Sequence, residues 1–203
     1  MFFSIEGGDG TGKSTQVGLL GEWLRELGHD VLACRDPGST SLGEAVRGIV
    51  LHAHDLRIGR RSEMLLYMAA RAQLTEEVIR PALDAGKIVV SDRYLLSNVV
   101  YQGYGGGLDV PELWQVGRVA TGGLLPDLTI VLDLPVERAA SRLQRALDRM
   151  EQQGDAFHAR VRQGFLDEAA RQPDRVVAIS ADRPIDEVQK AIRQIVAGRL
   201  ENR

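Results

Sequence analysis

The 203-residue chain has one cysteine, Cys34, so no internal disulfide can form and nothing in its thiol content marks a secreted fold. Cys34 is expected instead as a small buried apolar residue on a strand. No apolar run is long enough to span a bilayer. No charged leader precedes an apolar stretch either: an apolar segment begins at Phe2 and meets glycine at Gly7, which argues against a signal peptide and for a cytoplasmic protein. The net charge of −3 gives no reason to expect a nucleic acid or a membrane as partner, although local arginine clusters could hold phosphates. The four histidines are scattered without metal-ligand grouping, and repeats and low-complexity linkers are missing. What is present, 44% hydrophobic and 26% charged residues, is ordinary for a globular enzyme, and the length suits one domain with a sizeable core.

The opening "FFSIE" reads as a short buried strand, and "STQVGLLGEWLREL" carries Val17, Leu20, Trp23, Leu24 and Leu27 at helical spacing. Gly28 closes that helix and "DVLAC" reads as a second strand, completing a βαβ unit. Helical patterns then run through "EAVRGIVLH" and "SEMLLYMAARAQLTEEVIRPAL", followed by the apolar strand "KIVVSD". "DVPELWQVGRVATGG" looks helical and "LTIVLDL" is another buried strand. Pro135 suits the first turn of a long helix through Arg149, and a further helix is expected over Ala156 to Ala170. "RVVAISA" and "PIDEVQKAIRQIVAGRL" supply a last strand and a last helix. Continuous apolar strands alternating with helices indicate an α/β fold, a parallel five-stranded sheet flanked by helices.

Between the first strand and the first helix stands Gly7-Gly8-Asp9-Gly10-Thr11-Gly12-Lys13-Ser14-Thr15, which satisfies the phosphate-loop pattern in the context it requires. Such a loop turns backbone N–H groups and a helix N-terminus toward the phosphates of ATP, with Lys13 reaching the β- and γ-phosphates and Ser14 on Mg2+. Asp9 is out of place among these donors, because a carboxylate repels phosphate. It is tolerable if it points out of the loop, toward a partner offering donors such as a sugar hydroxyl; otherwise it is a turn residue bonded to its own backbone.

Ligands of parallel sheets bind beyond the carboxyl ends of the strands. Arg35, Asp36 and then Arg47 follow the second strand; Asp92, Arg93 and Tyr94 follow "KIVVS", with Ser97, Asn98, Tyr101 and Gln102 shortly after. Tyr67 and Arg71 lie at i and i+4, on one helical face. Guanidinium groups for a second phosphate, an aromatic face for a ring, and amides for ring heteroatoms together describe a second nucleotide.

With "IEGGDGTGKST", "RDPGSTSLGEAVR", "LYMAARAQL", "SDRYLLSNVVYQG", "PDLTIVLDLP", "DRMEQQGDAFHARVRQGF" and "ISADRPIDEV", the chain resembles the thymidylate kinases over nearly its whole length. That family moves the γ-phosphoryl of ATP onto dTMP and has the P-loop NTPase fold of nucleoside monophosphate kinases. The resemblance implies that Asp9 reaches the sugar 3′-hydroxyl, Tyr67 stacks on thymine, Arg71 bonds its O4, Asn98 and Gln102 border the base, and Tyr101 crowds the 2′ position. Ser97 joins this set, Arg47 and Arg93 would hold the acceptor phosphate, and Asp36 and Pro37 would shape the loop beside it. It also implies a homodimer. Two departures stand out: Tyr67 where the family usually has phenylalanine, and Asp36 where glutamate is more usual.

Some thymidylate kinases carry an arginine within the phosphate loop, but this loop reads Asp9-Gly10-Thr11. Arg138, Arg142, Arg145 and Arg149 follow at spacings of four, three and four, one stripe if the segment is helical. By itself that stripe could be a solvated face paired with Glu137, Asp148 and Glu151. The resemblance makes it a lid over about 138–152 that closes on ATP, with Arg145 and Arg149 as leading catalytic candidates beside Lys13, Arg93 and Asp9, and Arg142 next. An arginine introduced at Gly10 is then expected to mimic the other loop type. Asp92 is the expected partner of the Mg2+ shell, with Asp133 as alternative. The readings left open are a kinase of another deoxynucleoside or nucleoside monophosphate, and a regulatory ATPase of the same fold class.

Overall fold

All six residues of β1 (Phe2–Gly7) are buried, which demands cover on both faces and a strand on each side. The computed structural model, which describes residues 1–53, 55–143 and 146–201, provides both. β1 pairs in parallel with β3 (Ile88–Asp92) on one side and β4 (Leu128–Asp133) on the other. β2 (Val31–Arg35) and β5 (Val176–Ser180) close the sheet in the order β2-β3-β1-β4-β5. Only the two edge strands mix buried with exposed positions. The register aligns Ile5 with Asp92 and Asp92 with Arg35, so the ends of β1, β2 and β3 open on one edge.

On one face α1 (Lys13–Glu26) and α9 (Ile185–Glu201) bury Leu20, Leu24, Ile192 and Val196 against Phe3, Ile5 and Ile130 of the sheet. Each such fully buried side chain contributes about 1.5–3 kcal/mol. The other face carries α2 (Ser41–His52), α3 (Arg60–Leu74), α4 (Arg80–Asp84), α5 (Leu95–Asn98), α6 (Val110–Thr121) and α8 (Asp155–Arg171). Thr40 caps α2 by accepting from Gly43 N, and Asp109 caps α6 by accepting from Glu112 N. Among the described residues no helix is long and apolar enough to cross a membrane. Cys34 is buried on β2, as expected, and burial pushes its thiol up to about 12.

Three elements differ from the pattern expected of the sequence. The helix through "SEMLLYMAARAQLTEEVIRPAL" widens to a π-helical turn at Thr75–Ile79, because Pro81 cannot donate and its ring would collide with an α-helical carbonyl before it. "LLSN" after β3 is helical and continues as a π-helical stretch over Val99–Gly105, which carries Tyr101 and Gln102.

The helix expected from Pro135 to Arg149 is the third correction. α7 spans only Val136–Ser141 and tightens through Arg142 N to Ala139 O and Leu143 N to Ala140 O. Further on, Asp148 Oδ1 accepts from Met150 N and Glu151 N, a local turn that competes with helix. Arg149 N bonds Leu51 O at the end of α2. The arginines therefore do not form one helical stripe: Arg138 pairs with Asp182, Arg142 Nη2 donates to Ala181 O, and Arg149 turns to Glu63. Arg145 lies outside the described residues.

Candidate active site

The phosphate loop folds as it does because three of its glycines occupy backbone that side chains avoid. Gly7 has φ +136, and a Cβ there would meet Leu132 O at 2.6 Å. Gly10 has φ +77, and its Cβ would meet Ala139 O of α7 at 2.3 Å. An arginine at position 10 therefore has no room, which overturns the expectation that it could mimic the other loop type. Gly12, at φ +93, starts α1 without a side-chain cap, so the helix's first N–H groups stay open to an anion. Thr11 Oγ1 and Lys13 Nζ both donate to Gly8 O, at 2.8 and 2.6 Å. Burial, helped by the Arg93 charge, lowers the Lys13 ammonium to about 8, so an arriving polyanion would restore its proton affinity.

Asp9 turns out of the loop. Its Oδ1 accepts from Arg93 Nη2 at 2.5 Å and its Oδ2 from Tyr101 OH at 2.7 Å. Burial works against ionisation of Asp9, yet Arg93 and Lys13 outweigh it and hold the carboxyl at about 2. Arg93 sits at φ 68, left-handed backbone rare for a side chain of its size, and is held there by Arg93 N to Ile5 O and by Ser91 Oγ on its own carbonyl. Its Nη1 donates to Gly7 O and Ser97 Oγ.

Next to the loop opens a cleft of about 350 Å³, lined by Asp9, Lys13, Ser14, Thr15, Asp36, Pro37, Arg47, Tyr67, Arg71, Asp92, Arg93, Ser97, Asn98, Tyr101 and Gln102. Every residue expected in the acceptor set is thus in one place. Arg71, 1% exposed, donates from Nε to Asp36 Oδ2 at 2.5 Å and from Nη1 to Asn98 Oδ1 at 2.9 Å. Asp36 Oδ1 is a buried acceptor with no partner among the described residues. Arg47 is half-buried and donates from Nη1 to Pro37 O at 3.0 Å, and burial with the Arg35 charge lowers its affinity for its proton. Arg47 and Arg93 both line the cleft, and two guanidinium groups on one wall are the donor set that a phosphate takes. Tyr67 is 9% exposed and presents its ring to the cleft. Arg142 and Arg149 do not line the cleft, whereas Asp148, Met150 and Glu151 of the same segment do.

Ser14 Oγ donates to Asp92 Oδ2 at 2.5 Å beside the loop. Asp133 is occupied by Arg162, which donates from Nε and Nη2 at 2.7 and 2.9 Å. Among the described residues no three His, Cys, Asp or Glu side chains gather as a metal cage. A hydroxyl and one carboxylate beside a phosphate subsite are hard oxygen donors of the kind Mg2+ takes when phosphates and water complete its shell, so the donor set fits that ion.

Two carboxylates escaped the sequence reading. Glu6, fully buried, accepts from Tyr94 N at 2.8 Å and from Ser97 Oγ, and burial pushes it up to about 7. Glu63, 1% exposed, bonds Gln102 and Arg149. Its spacing of four from Tyr67 and eight from Arg71 was a signal that it shares their face.

A phosphate loop at the carboxyl edge of a five-stranded parallel sheet, opening into a polar cleft with a second set of binding groups, defines a P-loop nucleotide kinase of the nucleoside monophosphate type. The family model described as thymidylate kinase matches residues 5–192. A thymidylate kinase of Clavibacter michiganensis is 48% identical over 196 residues, covering 95% of this chain and 92% of that protein. One from Leifsonia xyli is 47% identical over 203 residues, covering 98% and 96%. The crystal structure of thymidylate kinase from Ehrlichia chaffeensis superposes with a TM-score of 0.80 at 33% identity, covering 97% of this chain and 98% of that one. The chain belongs to the thymidylate kinase family.

Proposed function

We propose that the protein transfers the γ-phosphoryl group of ATP to dTMP, giving ADP and dTDP on the way to dTTP. The observation that carries this reading is the placement of Asp9, bonded to Arg93 and Tyr101 where the phosphate loop meets the cleft. It supports reading Asp9 as the acceptor of a sugar hydroxyl, with Arg47 and Arg93 for the acceptor phosphate and Tyr67, Arg71, Asn98 and Gln102 for the base.

In this reading ATP lies on Gly7 to Thr15, with the uncapped N–H groups of α1 on its phosphates and Lys13 released from Gly8 O to the β- and γ-phosphates. Mg2+, held through Ser14 and Asp92, would neutralise phosphate charge. dTMP places its base between Tyr67 and the Arg71, Asn98 and Gln102 edge, its 3′-hydroxyl on Asp9, Tyr101 against C2′, and its phosphate on Arg47 and Arg93. Ser97, Asp36 and Pro37 fix the groups around it: Ser97 and Asp36 through bonds to Arg93 and Arg71, Pro37 through its carbonyl on Arg47. The acceptor phosphate, with a second pKa of about 6, is already largely dianionic, so no general base is needed. Positioning and charge neutralisation carry the rate.

The segment 138–152 acts as the lid of a single kinase domain. Arg138, Arg142 and Arg149 are bonded to Asp182, Ala181 O and Glu63, and Arg145 is the arginine assigned to the transition state on the resemblance to thymidylate kinases with a lid arginine. Arg149 serves from the acceptor side. A homodimer belongs to the same reading, supported by exposed Ile49, Leu65 and Val119 on neighbouring helices, and so does a cytoplasmic location, where ATP is abundant.

The test is ADP release with ATP and, in turn, dTMP, dUMP, the ribose analogue of dTMP, and thymidine. dTMP should dominate. Turnover indifferent to every acceptor would indicate a regulatory ATPase, and preference for another acceptor a neighbouring kinase.

A further inference from the structure

Four buried side chains of the cleft, Asp36, Arg71, Asn98 and Gln102, form a continuous chain that runs on to Glu63 and Arg149. Arg71 donates to Asp36 and Asn98; Asn98 Nδ2 donates to Gln102 Oε1 at 2.6 Å; Gln102 Nε2 donates to Glu63 Oε1 at 3.0 Å. Arg149 Nη2 then donates to Glu63 Oε2, and Arg149 Nε to Val50 O at 2.8 Å. Asp36, Arg71, Asn98, Gln102 and Glu63 are each no more than 2% exposed.

The direction of every bond in this chain is determined. Arginine can only donate, so Asn98 turns its oxygen to Arg71 and its nitrogen to Gln102, and Gln102 in turn its nitrogen to Glu63, which gives each amide a single orientation. A group that bonds Arg71, Asn98 or Gln102 in the cleft must match that order, and one that turns either amide breaks the link onward to Glu63. The second oxygen of Glu63 is held by an arginine from an irregular segment, 18% exposed at its side chain, and not by a neighbour in the core. Stability alone gives little reason for that arrangement, since well-packed apolar residues commonly replace a buried ion pair at no loss.

We propose that Glu63 is a positioning residue for phosphoryl transfer, joining the base edge of the acceptor pocket to Arg149 so that acceptor binding and lid placement are coupled. The inference rests on the thymidylate kinase reading. Glu63 touches neither substrate; it acts by holding Gln102 in one orientation and Arg149 in one place.

The test is the affinity for dTMP, by titration calorimetry, with and without a non-hydrolysable ATP analogue. It is run on the wild type, Glu63→Gln, Arg149→Gln and the double variant. In the wild type the analogue should tighten dTMP by about fivefold or more, the lower range of coupling between sites. Either single variant should bring the ratio close to one, and the double variant should do no more, because both cut the same link. A Glu63 that only supports the fold would lower the melting temperature and weaken both ligands alike while the ratio survived; that result overturns the proposal, as does a wild-type ratio of one. Should Glu63→Gln not fold, the part-exposed Arg149→Gln decides, an unchanged ratio counting against. A wild type that binds no dTMP at all would overturn the functional reading as well, an outcome distinct from dTMP binding without coupling.

Discussion

The two halves of the cleft are made of different material. On the donor side the contacts are backbone: N–H groups opened by Gly7, Gly10 and Gly12, an uncapped helix, and a lysine resting on its own loop at Gly8 O. On the acceptor side they are side chains already bonded to each other, with Arg71 between Asp36 and Asn98 and Arg93 between Asp9, Tyr101 and Ser97. A backbone cradle recognises any polyphosphate, because every residue offers the same N–H. A buried network of fixed donors and acceptors rejects a ligand that leaves one of them unpaired. On the proposed reading, generality sits at one end of the cleft and selectivity at the other.

Substitutions can break that division, and the largest effects belong to the donor side. Arg145→Ala should lower kcat on the order of 10³-fold with the dTMP KM little changed, as for arginines that act in phosphoryl-transfer transition states. Normal kcat would mean the charge is neutralised elsewhere. Lys13→Ala should cost about 10²- to 10³-fold in kcat while thermal unfolding stays close to wild type, since it removes charge from the phosphates and little packing; equal losses in both measurements would show a folding defect.

On the acceptor side Arg71→Ala should weaken dTMP by roughly 10- to 100-fold, about 1–3 kcal/mol, and spare the ATP KM. It should also destabilise the fold, because the buried Asp36 carboxyl loses its arginine partner in the core. Replacing both partners, Arg71→Met with Asp36→Leu, should recover stability in denaturant titrations without recovering dTMP affinity. If affinity returned too, the side-chain network would not be the source of selectivity.

The smallest effect separates the halves by pH. Lys13 has a pKa of about 8 in the folded protein, below the unfolded value of 10.5. Above pH 8 the free enzyme loses that charge, so kcat/KM for ATP should fall up to tenfold per pH unit while dTMP binding alone stays level. The stability effect runs the other way. Between pH 8 and 10.5 the unfolded chain binds the extra proton, so Lys13 contributes a stability that increases with pH. Unfolding of wild type and Lys13→Ala across that window should show the difference, and parallel curves would remove Lys13 as its source.

The donor side was legible because its signals are local. The loop pattern, the strand before it and the helix after it lie within 26 residues, and glycine at positions 7, 10 and 12 answers steric demands that do not depend on the rest of the chain. The acceptor set was legible as an inventory: Tyr67 and Arg71 share a face by helical spacing, and Arg93 to Gln102 follow a buried strand. Asp9 posed its question in the sequence, and the answer needed Arg93 and Tyr101, 84 and 92 residues away.

Local pattern failed where two elements competed for the same backbone. Pro135 suited the first turn of a long helix through Arg149, but Asp148 offered Met150 and Glu151 an alternative acceptor and the end of α2 offered Arg149 a carbonyl, 99 residues away in sequence for its side chain. The sequence by itself determined the strands, the phosphate loop and the residue types of the cleft, because apolar periodicity and glycine stereochemistry act over a few residues. Tertiary structure alone decided that Asp133 goes to Arg162, that Glu63 closes the amide chain and that Arg149 faces the acceptor side. Buried charges take whichever partner the packed elements bring within a few ångströms, and that choice exists only once the chain has folded.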